Sequence, residues 1–138
     1  MICLPVPHPG RLFALVLLAA LLFTASGTQV AAPAGVSRLP GWDKVAHFLL
    51  YGLFATMCLR LNPKAPPTLG RALFAILAAS AFGLADEFRQ YLNPHRFFEW
   101  DDAIANTLGA ILATILYLYW KPYRAVLEWK IPFPGKSK

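Results

Sequence analysis

Residues 12–32 read LFALVLLAALLFTASGTQVAA, a stretch that contains no charged side chain. An apolar helix of roughly 20 residues is long enough to cross a hydrocarbon core about 30 Å thick. The apolar residues do not alternate with polar ones at a period of two, which excludes a β-strand. This stretch therefore predicts a transmembrane helix.

Three further apolar segments follow, and they cover residues 45–61, 72–85 and 103–120. Each reaches spanning length only if the charged pair beside it lies among the lipid headgroups. Breaks rich in Pro, Gly and Asn separate the segments, as is typical of helix ends. The sequence thus predicts an all-α integral membrane protein, a compact bundle of four transmembrane helices.

Candidate capping residues stand where these helices begin. We expect Asp43 and Thr68 to cap the second and third helices, and Asp101 or Asp102 to open the fourth. A side-chain oxygen at a helix start accepts from free backbone N–H groups, and a carboxylate there also favours the helix dipole.

The composition is that of a membrane protein with one domain. Hydrophobic residues make up 57% of the 138 residues and charged residues 14%, and the mean hydropathy is +0.49. In soluble domains, hydrophobic residues average about 45–50% and charged residues about 25%. The net charge of +6 does not indicate a nucleic-acid partner, because the basic residues flank the apolar segments and form no exposed stripe.

The positions of Lys and Arg predict the orientation, because cytoplasmic loops carry the excess of these residues. Nine of the 13 basic residues share a face with both termini: Arg11, Arg60, Lys64, Arg71, Lys121, Arg124, Lys130, Lys136 and Lys138. The other four are Arg38, Lys44, Arg89 and Arg96. We therefore expect a multi-pass protein of the plasma (inner) membrane with both termini cytoplasmic. Its parts are an N-terminus (1–11), a four-helix domain (12–120) and a basic tail (121–138).

Alternatives remain for both ends of the chain. Residues 1–27 could be a cleaved signal peptide, although the apolar character continues to residue 32. The basic tail could lie on the inner leaflet, where each Lys or Arg adds about 1 kcal/mol of attraction to anionic lipid, or be disordered. Cys3 and Cys58 fall on the cytoplasmic side, where thiols stay reduced, so no disulfide is expected.

Acidic residues are concentrated on the opposite side. Six of the seven lie at extracytoplasmic helix ends or in the loop between the last two helices: Asp43, Asp86, Glu87, Glu99, Asp101 and Asp102. Topology does not require this, because Asp and Glu contribute little to orientation. The clustering therefore needs a second explanation.

Helical spacing places polar residues on one face of each of three helices, since residues three and four apart are neighbours. The three stripes are Asp43, His47 and Tyr51; Glu87 and Gln90; and Asp102, Asn106 and Gly109. The second stripe requires that the third helix continues to Gln90. Because unpaired polar groups are costly in a membrane, we expect the stripes to face each other in a polar pocket open to the outer face.

Individual residues also have purely structural interpretations. Asp43 and Asp102 could serve only as helix caps, and His47 could be an interfacial side chain bonded to a neighbouring tyrosine. Gly109 and Ala113 form a small-xxx-small pair, whose expected role is helix packing.

The motifs Asp43-Lys44-x-x-His47-Phe48-x-x-Tyr51, Glu87-x-x-Gln90, and Arg96 followed by Asp102-x-x-x-Asn106-x-x-Gly109 occur in this order. Over residues 40–115 they resemble the VanZ-like family of small bacterial membrane proteins, in which Ala113 is often a second glycine. The family's namesake is associated with resistance to teicoplanin, a lipoglycopeptide directed at cell-wall precursors. The resemblance implies functional roles for Asp43, Lys44, His47, Glu87, Gln90, Arg96, Asp102 and Asn106.

Binding is the favoured function: the pocket would recognise or modulate a membrane lipid, a lipid-linked cell-wall precursor or a glycopeptide. The candidate ligand-binding residues are Asp43, Lys44, Tyr51, Gln90, Arg96 and Asn106. The first alternative is an enzyme that acts on a lipid headgroup, with His47, Glu87 and Asp102 as candidate catalytic residues. In that case Lys44 and Arg96 would hold a phosphate or carboxylate. No Ser or Cys nucleophile is expected near the pocket.

A structural role is the second alternative, in which the polar stripes supply hydrogen bonds that hold the helices together. A divalent cation bound by His47, Glu87 and Asp102 is a further alternative, but no tight ligand spacing in the sequence supports it. Neither a metal nor another cofactor is expected. An ion path is disfavoured because the cytoplasmic halves of the helices hold no ionisable relay.

Overall fold

The computed structural model describes residues 7–27, 41–93 and 97–129, and in these ranges the regular structure is entirely helical. The prediction of an all-α protein is therefore confirmed for the described residues. The five helices are α1 (Pro9–Gly27), α2 (Trp42–Leu59), α3 (Leu69–Tyr91), α4 (Trp100–Tyr119) and α5 (Lys121–Glu128). The positions of Cys3, Arg38, Arg96 and the basic residues from Lys130 onward lie outside the described residues.

Two of the expected helix starts differ in detail from the prediction. Thr68 caps α3 as expected, because its hydroxyl accepts from the Arg71 N–H. Asp43 does not cap α2: Gly41 holds that position with a φ of 79°, which a glycine adopts without strain. Glu99 precedes α4, so Asp102 lies inside the first turn, where its charge still favours the helix dipole.

The third helix is longer than its apolar segment. It continues to Tyr91, so Glu87 and Gln90 lie inside it on one face, and both side chains are buried. The hydropathy of the sequence predicts that the polar residues after position 85 lie among the lipid headgroups. In the structure they face other helices, which is why the helix does not end there.

Within the described ranges, three helices are long and apolar enough to cross a membrane: α1, α3 and α4. The helix α2 is not among them, and Asp43, Lys44 and His47 occupy its first two turns. The outward surfaces of the spanning candidates carry large apolar side chains, including Phe13, Phe74, Leu77 and Leu108. Such a surface suits contact with lipid tails.

The pair formed by α2 and α4 is the most extensive helix contact, and α3 packs on both. A Cβ on Gly109 would overlap the backbone of Phe48, and one on Gly52 would lie 2.9 Å from the Gly109 oxygen and 3.0 Å from the Ala113 Cβ. Small residues let these two backbones approach closely. The packing role predicted for Gly109 and Ala113 is confirmed.

The start of the predicted tail forms α5, so a disordered tail is wrong for residues 121–128. Glu128 near its end accepts from Arg11 Nη2 at 2.6 Å, from Arg60 Nε at 2.7 Å and from the Tyr117 hydroxyl at 2.8 Å. These four residues are called the arginine cluster below. They connect α1, α2, α4 and α5 at one end of the bundle.

Candidate functional site

The polar stripes of α2, α3 and α4 converge at the end of the bundle opposite the arginine cluster. The first turns of α2 and α4 lie side by side because of the close α2–α4 packing, and the last turns of α3 pack against both. The group assembled there is called the acidic cluster, and its members are Asp43, Lys44, His47, Glu87, Glu99, Asp102 and Asn106.

Lys44 is surrounded by carboxylates. Its Nζ lies 3.0 Å from Asp43 Oδ2, 3.0 Å from Glu99 Oε2 and 3.1 Å from Asp102 Oδ1. The side chains of Asp43 and Glu99 are 55% and 53% exposed, whereas that of Asp102 is 6% exposed. One ammonium therefore links the water-facing edge of the cluster to its interior.

His47 is held through both ring nitrogens. Its Nδ1 lies 3.0 Å from Asn106 Oδ1, and its Nε2 lies 3.7 Å from Asp102 Oδ2. The ring also stacks on Tyr51, with a centroid distance of 5.9 Å and an interplanar angle of 4°. Asn106 Nδ2 is buried without a partner among the described residues and lies against Gly83. These contacts fix the orientation of the imidazole.

Glu87 completes the cluster from α3 and is almost fully buried. Its carboxylate accepts from Gln90 Nε2 and from the backbone N–H of Glu99, both at 3.4 Å. One ligand atom each from His47, Glu87 and Asp102 lie within 4.8 Å of one another, a spacing that a single cation could bridge. The structure thus brings together the three residues predicted from three separate helices.

Comparison with known families agrees with these motifs. The model of the VanZ/LLP1 family matches residues 9–121, which includes every described residue of the acidic cluster. The chain belongs to the VanZ/LLP1 family. No curated protein and no solved structure matches it significantly.

A second polar group of this VanZ/LLP1 protein was not predicted from the sequence. Asp86 is buried on α3, and its carboxylate accepts from Arg89 Nη2 at 2.8 Å, from Ser26 Oγ at 2.8 Å and from Gln90 Nε2 at 3.2 Å. The Tyr51 hydroxyl donates to it at 3.4 Å. This Asp86 network joins α1 to α3 and α2.

The Asp86 network of the VanZ/LLP1 protein includes two residues, Tyr51 and Ser26, whose contacts the sequence did not predict. The hydroxyl of Tyr51 bonds to Asp86, while only the face of its ring contacts the acidic cluster through His47. Ser26 of α1 bonds to Asp86 and Arg89 in this network and has no hydrogen bond to the acidic cluster in the described residues. The i, i+3 spacing of Asp86 and Arg89 was the available sequence signal; nothing in the sequence pointed to Ser26.

Proposed function

We propose that this VanZ/LLP1 protein crosses the plasma membrane four times, with both termini cytoplasmic, and that its acidic cluster binds a cell-envelope lipid or a cell-wall precursor. The observation that carries the proposal is the excess of carboxylates around Lys44 at one end of the bundle. Two carboxylates of the cluster, Glu87 and Asp102, are buried between helices, where ionisable side chains are costly and usually functional.

The helix α2 is the fourth proposed span. Its 18 residues rise by about 27 Å, which is close to the hydrocarbon thickness of about 30 Å. The polar residues in its first turns are directed at α4, because Lys44 bonds to Asp102 and His47 bonds to Asn106. Their cost in lipid is reduced by these partners, so the low hydropathy of α2 does not argue against a span.

The first span in this proposal is α1, in preference to a cleaved signal peptide. Arg11 near its start bonds to Glu128 of α5, and Ser26 near its end bonds to Asp86 of α3. Leu22 between them packs in the core with residues of α2, α3 and α4. A helix tied to the bundle at both ends supports retention in the mature protein.

The charge of the acidic cluster defines the ligand chemistry. In the described residues, Asp43, Glu99 and Asp102 surround the single ammonium of Lys44, and Glu87 adds a fourth carboxylate to the cluster through its bond to the Glu99 N–H. A phosphate placed on this ammonium would meet the carboxylates at short range, which is unfavourable. Amine and hydroxyl groups are complementary to the site, and sugar-bearing envelope components provide both.

The family resemblance connects this proposal to glycopeptides. Teicoplanin acts on cell-wall precursors, so a protein that binds or modulates such a precursor would alter the response to the drug. We therefore expect a bacterium that produces this protein to change its teicoplanin susceptibility, and a variant with a defective acidic cluster to lose the change.

An enzyme that acts on a lipid headgroup is the second candidate, and the geometry of His47 favours it. The contact of Nδ1 with Asn106 Oδ1 orients the ring and leaves Nε2, which lies 3.7 Å from Asp102, as the nitrogen that would act as the general base. No hydrogen bond joins a Ser or Cys to His47 in the described residues, so the base would act on water. Product formation from a labelled precursor separates this candidate from simple binding.

The binding test compares two exposed acids that each stand in the first turn of a helix. Asp43→Asn removes one charge from the acidic cluster, and Asp101→Asn removes one charge outside it. The full chain in nanodiscs is titrated with a lipid-linked disaccharide–peptide precursor and, separately, with teicoplanin. Exposed Trp42 and Trp100, at the starts of α2 and α4, provide the fluorescence signal.

We expect Asp43→Asn to bind the precursor about tenfold more weakly, because a charge-assisted hydrogen bond is lost. Asp101→Asn should bind like the unmodified protein, and far-UV circular dichroism should show both variants folded. Equal affinities for the two variants would contradict binding at the acidic cluster. Saturable binding without product, even after long incubation, would contradict the enzymatic candidate.

A further inference from the structure

We propose that a cavity at the end of the bundle opposite the acidic cluster binds the phosphate group of an anionic phospholipid. Its volume is about 450 Å³, within the range of about 300–1,000 Å³ that is usual for small-ligand sites. The cavity is bounded by the start of α1, the end of α2, the loop between α2 and α3, and the end of α5. Its charged lining residues are Arg11, Arg60, Lys64, Arg71 and Glu128.

The lining has four cations and one carboxylate, so it carries a positive excess. The side chains of Arg11 and Arg60 are only 26% and 15% exposed. Partly buried cations require anionic partners, and Glu128 supplies a single charge for both guanidinium groups. A second anion in the cavity would balance the remaining positive charge of the two guanidinium groups.

The arginines that line the cavity keep N–H donors that their internal hydrogen bonds do not use. Arg11 uses two of its N–H groups, on the Arg60 carbonyl and on Glu128. Arg60 also uses two, on Glu128 and on the Leu127 carbonyl. A guanidinium has five N–H donors, so several remain on each side chain. The Lys64 ammonium has no bonded partner in the described part of the chain.

Arg71 has a different role at the same cavity. Its guanidinium donates to the carbonyls of Leu59 at 2.7 Å, Ala65 at 2.6 Å and Pro66 at 2.8 Å. These bonds fix the loop between α2 and α3 against the end of α2. Arg71 thereby positions Lys64, which the same loop carries.

The location favours a lipid as the source of the phosphate. The cavity lies where three of the spanning candidates begin or end, on the side that the positive excess predicts to be cytoplasmic. Basic sites between helices on this side bind anionic headgroups. Tyr119, Trp120 and Trp129 are exposed near the same end, as expected at a membrane interface. The inference needs the helices to cross a membrane but is independent of any ligand at the acidic cluster.

The test uses the full chain purified in a neutral detergent, with retained lipid measured by native mass spectrometry. The probes are phosphatidylglycerol, phosphatidylcholine and inorganic phosphate. Lys64→Gln removes a cavity cation, and Lys121→Gln removes an exposed cation at the start of α5 that does not line the cavity. Both side chains lack bonded partners in the described ranges, so both variants should fold.

We expect phosphatidylglycerol to bind about tenfold more tightly than phosphatidylcholine, whose choline cation opposes the arginines. Lys64→Gln should weaken phosphatidylglycerol binding about fivefold, the effect of one basic residue near an anionic headgroup. Lys121→Gln should leave it unchanged. Equal binding of the two lipids, or equal effects of the two variants, would overturn the proposal. Displacement by millimolar inorganic phosphate without a preference between lipids would assign the cavity to free phosphate and reject the lipid.

Discussion

The two ends of the bundle carry opposite charges, and each centres on one side chain of the minority sign. In the acidic cluster, Lys44 bonds to the carboxylates of Asp43, Glu99 and Asp102. In the arginine cluster, Glu128 bonds to two guanidinium groups and a tyrosine hydroxyl. The tendency of cytoplasmic loops to carry Lys and Arg accounts for a positive excess at one end, whereas no such tendency accounts for a negative excess at the other. The comparison therefore directs the search for function first to the acidic cluster.

Electrostatic compensation at the arginine cluster is visible in Glu128. Burial raises the pKa of this carboxyl, but hydrogen bonds from Arg60, Tyr117 and Arg11 outweigh that effect and lower the pKa to about 2, from an ordinary value of 4.5. Glu128 therefore stays charged at any physiological pH. The hydrogen bonds of Glu128 therefore hold the helices together at this end of the bundle, and the surrounding arginines can bind a further anion.

The largest effect should come from breaking the helix contact on which the acidic cluster is built. Gly109→Ala would place a methyl group into the Phe48 backbone and push α2 from α4. We expect the free energy of unfolding to fall by about 3 kcal/mol, as measured by denaturation in mixed micelles. Gly70→Ala is the control, because nothing lies within 4 Å of its Cβ. Equal losses for both variants would show that the α2–α4 contact is not tight.

A smaller loss is expected when the Asp86 network is broken, which tests whether polar residues beside the acidic cluster are structural. Asp86→Asn removes the charge that pairs with Arg89 and replaces one of the two acceptor oxygens by an N–H donor, which weakens the contacts that hold α1 on α3. The free energy of unfolding should fall by about 2 kcal/mol. Asp101→Asn, at an exposed position, should leave it unchanged. If both variants unfold alike, the Asp86 network contributes nothing to the attachment of α1.

The pH dependence of the free energy of unfolding reports on the arginine cluster through Glu128. Because the pKa of Glu128 is lowered on folding, its stabilising effect is complete above its ordinary value of 4.5 and is lost as the pH falls through about 2. Glu128→Gln lacks this contribution. The stability difference between the two proteins should therefore narrow from pH 5 to pH 2, in unfolding curves recorded across that range. A difference that does not change with pH would contradict the depressed pKa.

The smallest effect is expected from a local contact close to the arginine cluster. Thr68→Ala removes the side-chain cap of α3, whose oxygen lies 3.4 Å from the Arg71 nitrogen. The expected loss in the free energy of unfolding is about 0.5 kcal/mol. Thr107→Ala, within α4, is the control because its hydroxyl bonds only to its own helix. A loss as large as that of Gly109→Ala would mean that the cap has a wider role.

Local periodicity explains why the sequence predicted much of the acidic cluster. His47 follows Asp43 by four residues and Asn106 follows Asp102 by four, so each pair shares a helix face before any tertiary structure is known. The same pattern gave the helical class and most segment boundaries. This periodicity predicted which helix faces are polar. Because those faces have to be buried, they come together in the structure.

The contacts that escaped prediction are those with no local pattern. Glu99 lies in a loop, outside any helical period, yet it bonds to Lys44 from a position 55 residues away. Ser26 and Asp86 are separated by 60 residues. The apolar segment of α3 ends before the helix does for a related reason: the last polar residues of α3 face other helices, and a hydropathy pattern cannot distinguish that from exposure to headgroups.

The bond between Arg11 and Glu128 spans 117 positions of the chain, from the first helix to the last. During synthesis the N-terminal part of a protein emerges first, so Arg11 is exposed long before its partner exists. The bond between Arg11 and Glu128 can form only after α5 has left the ribosome. The contact between α1 and α5 therefore forms late, after the other helices have been synthesised, and a chain truncated before α5 would lack it.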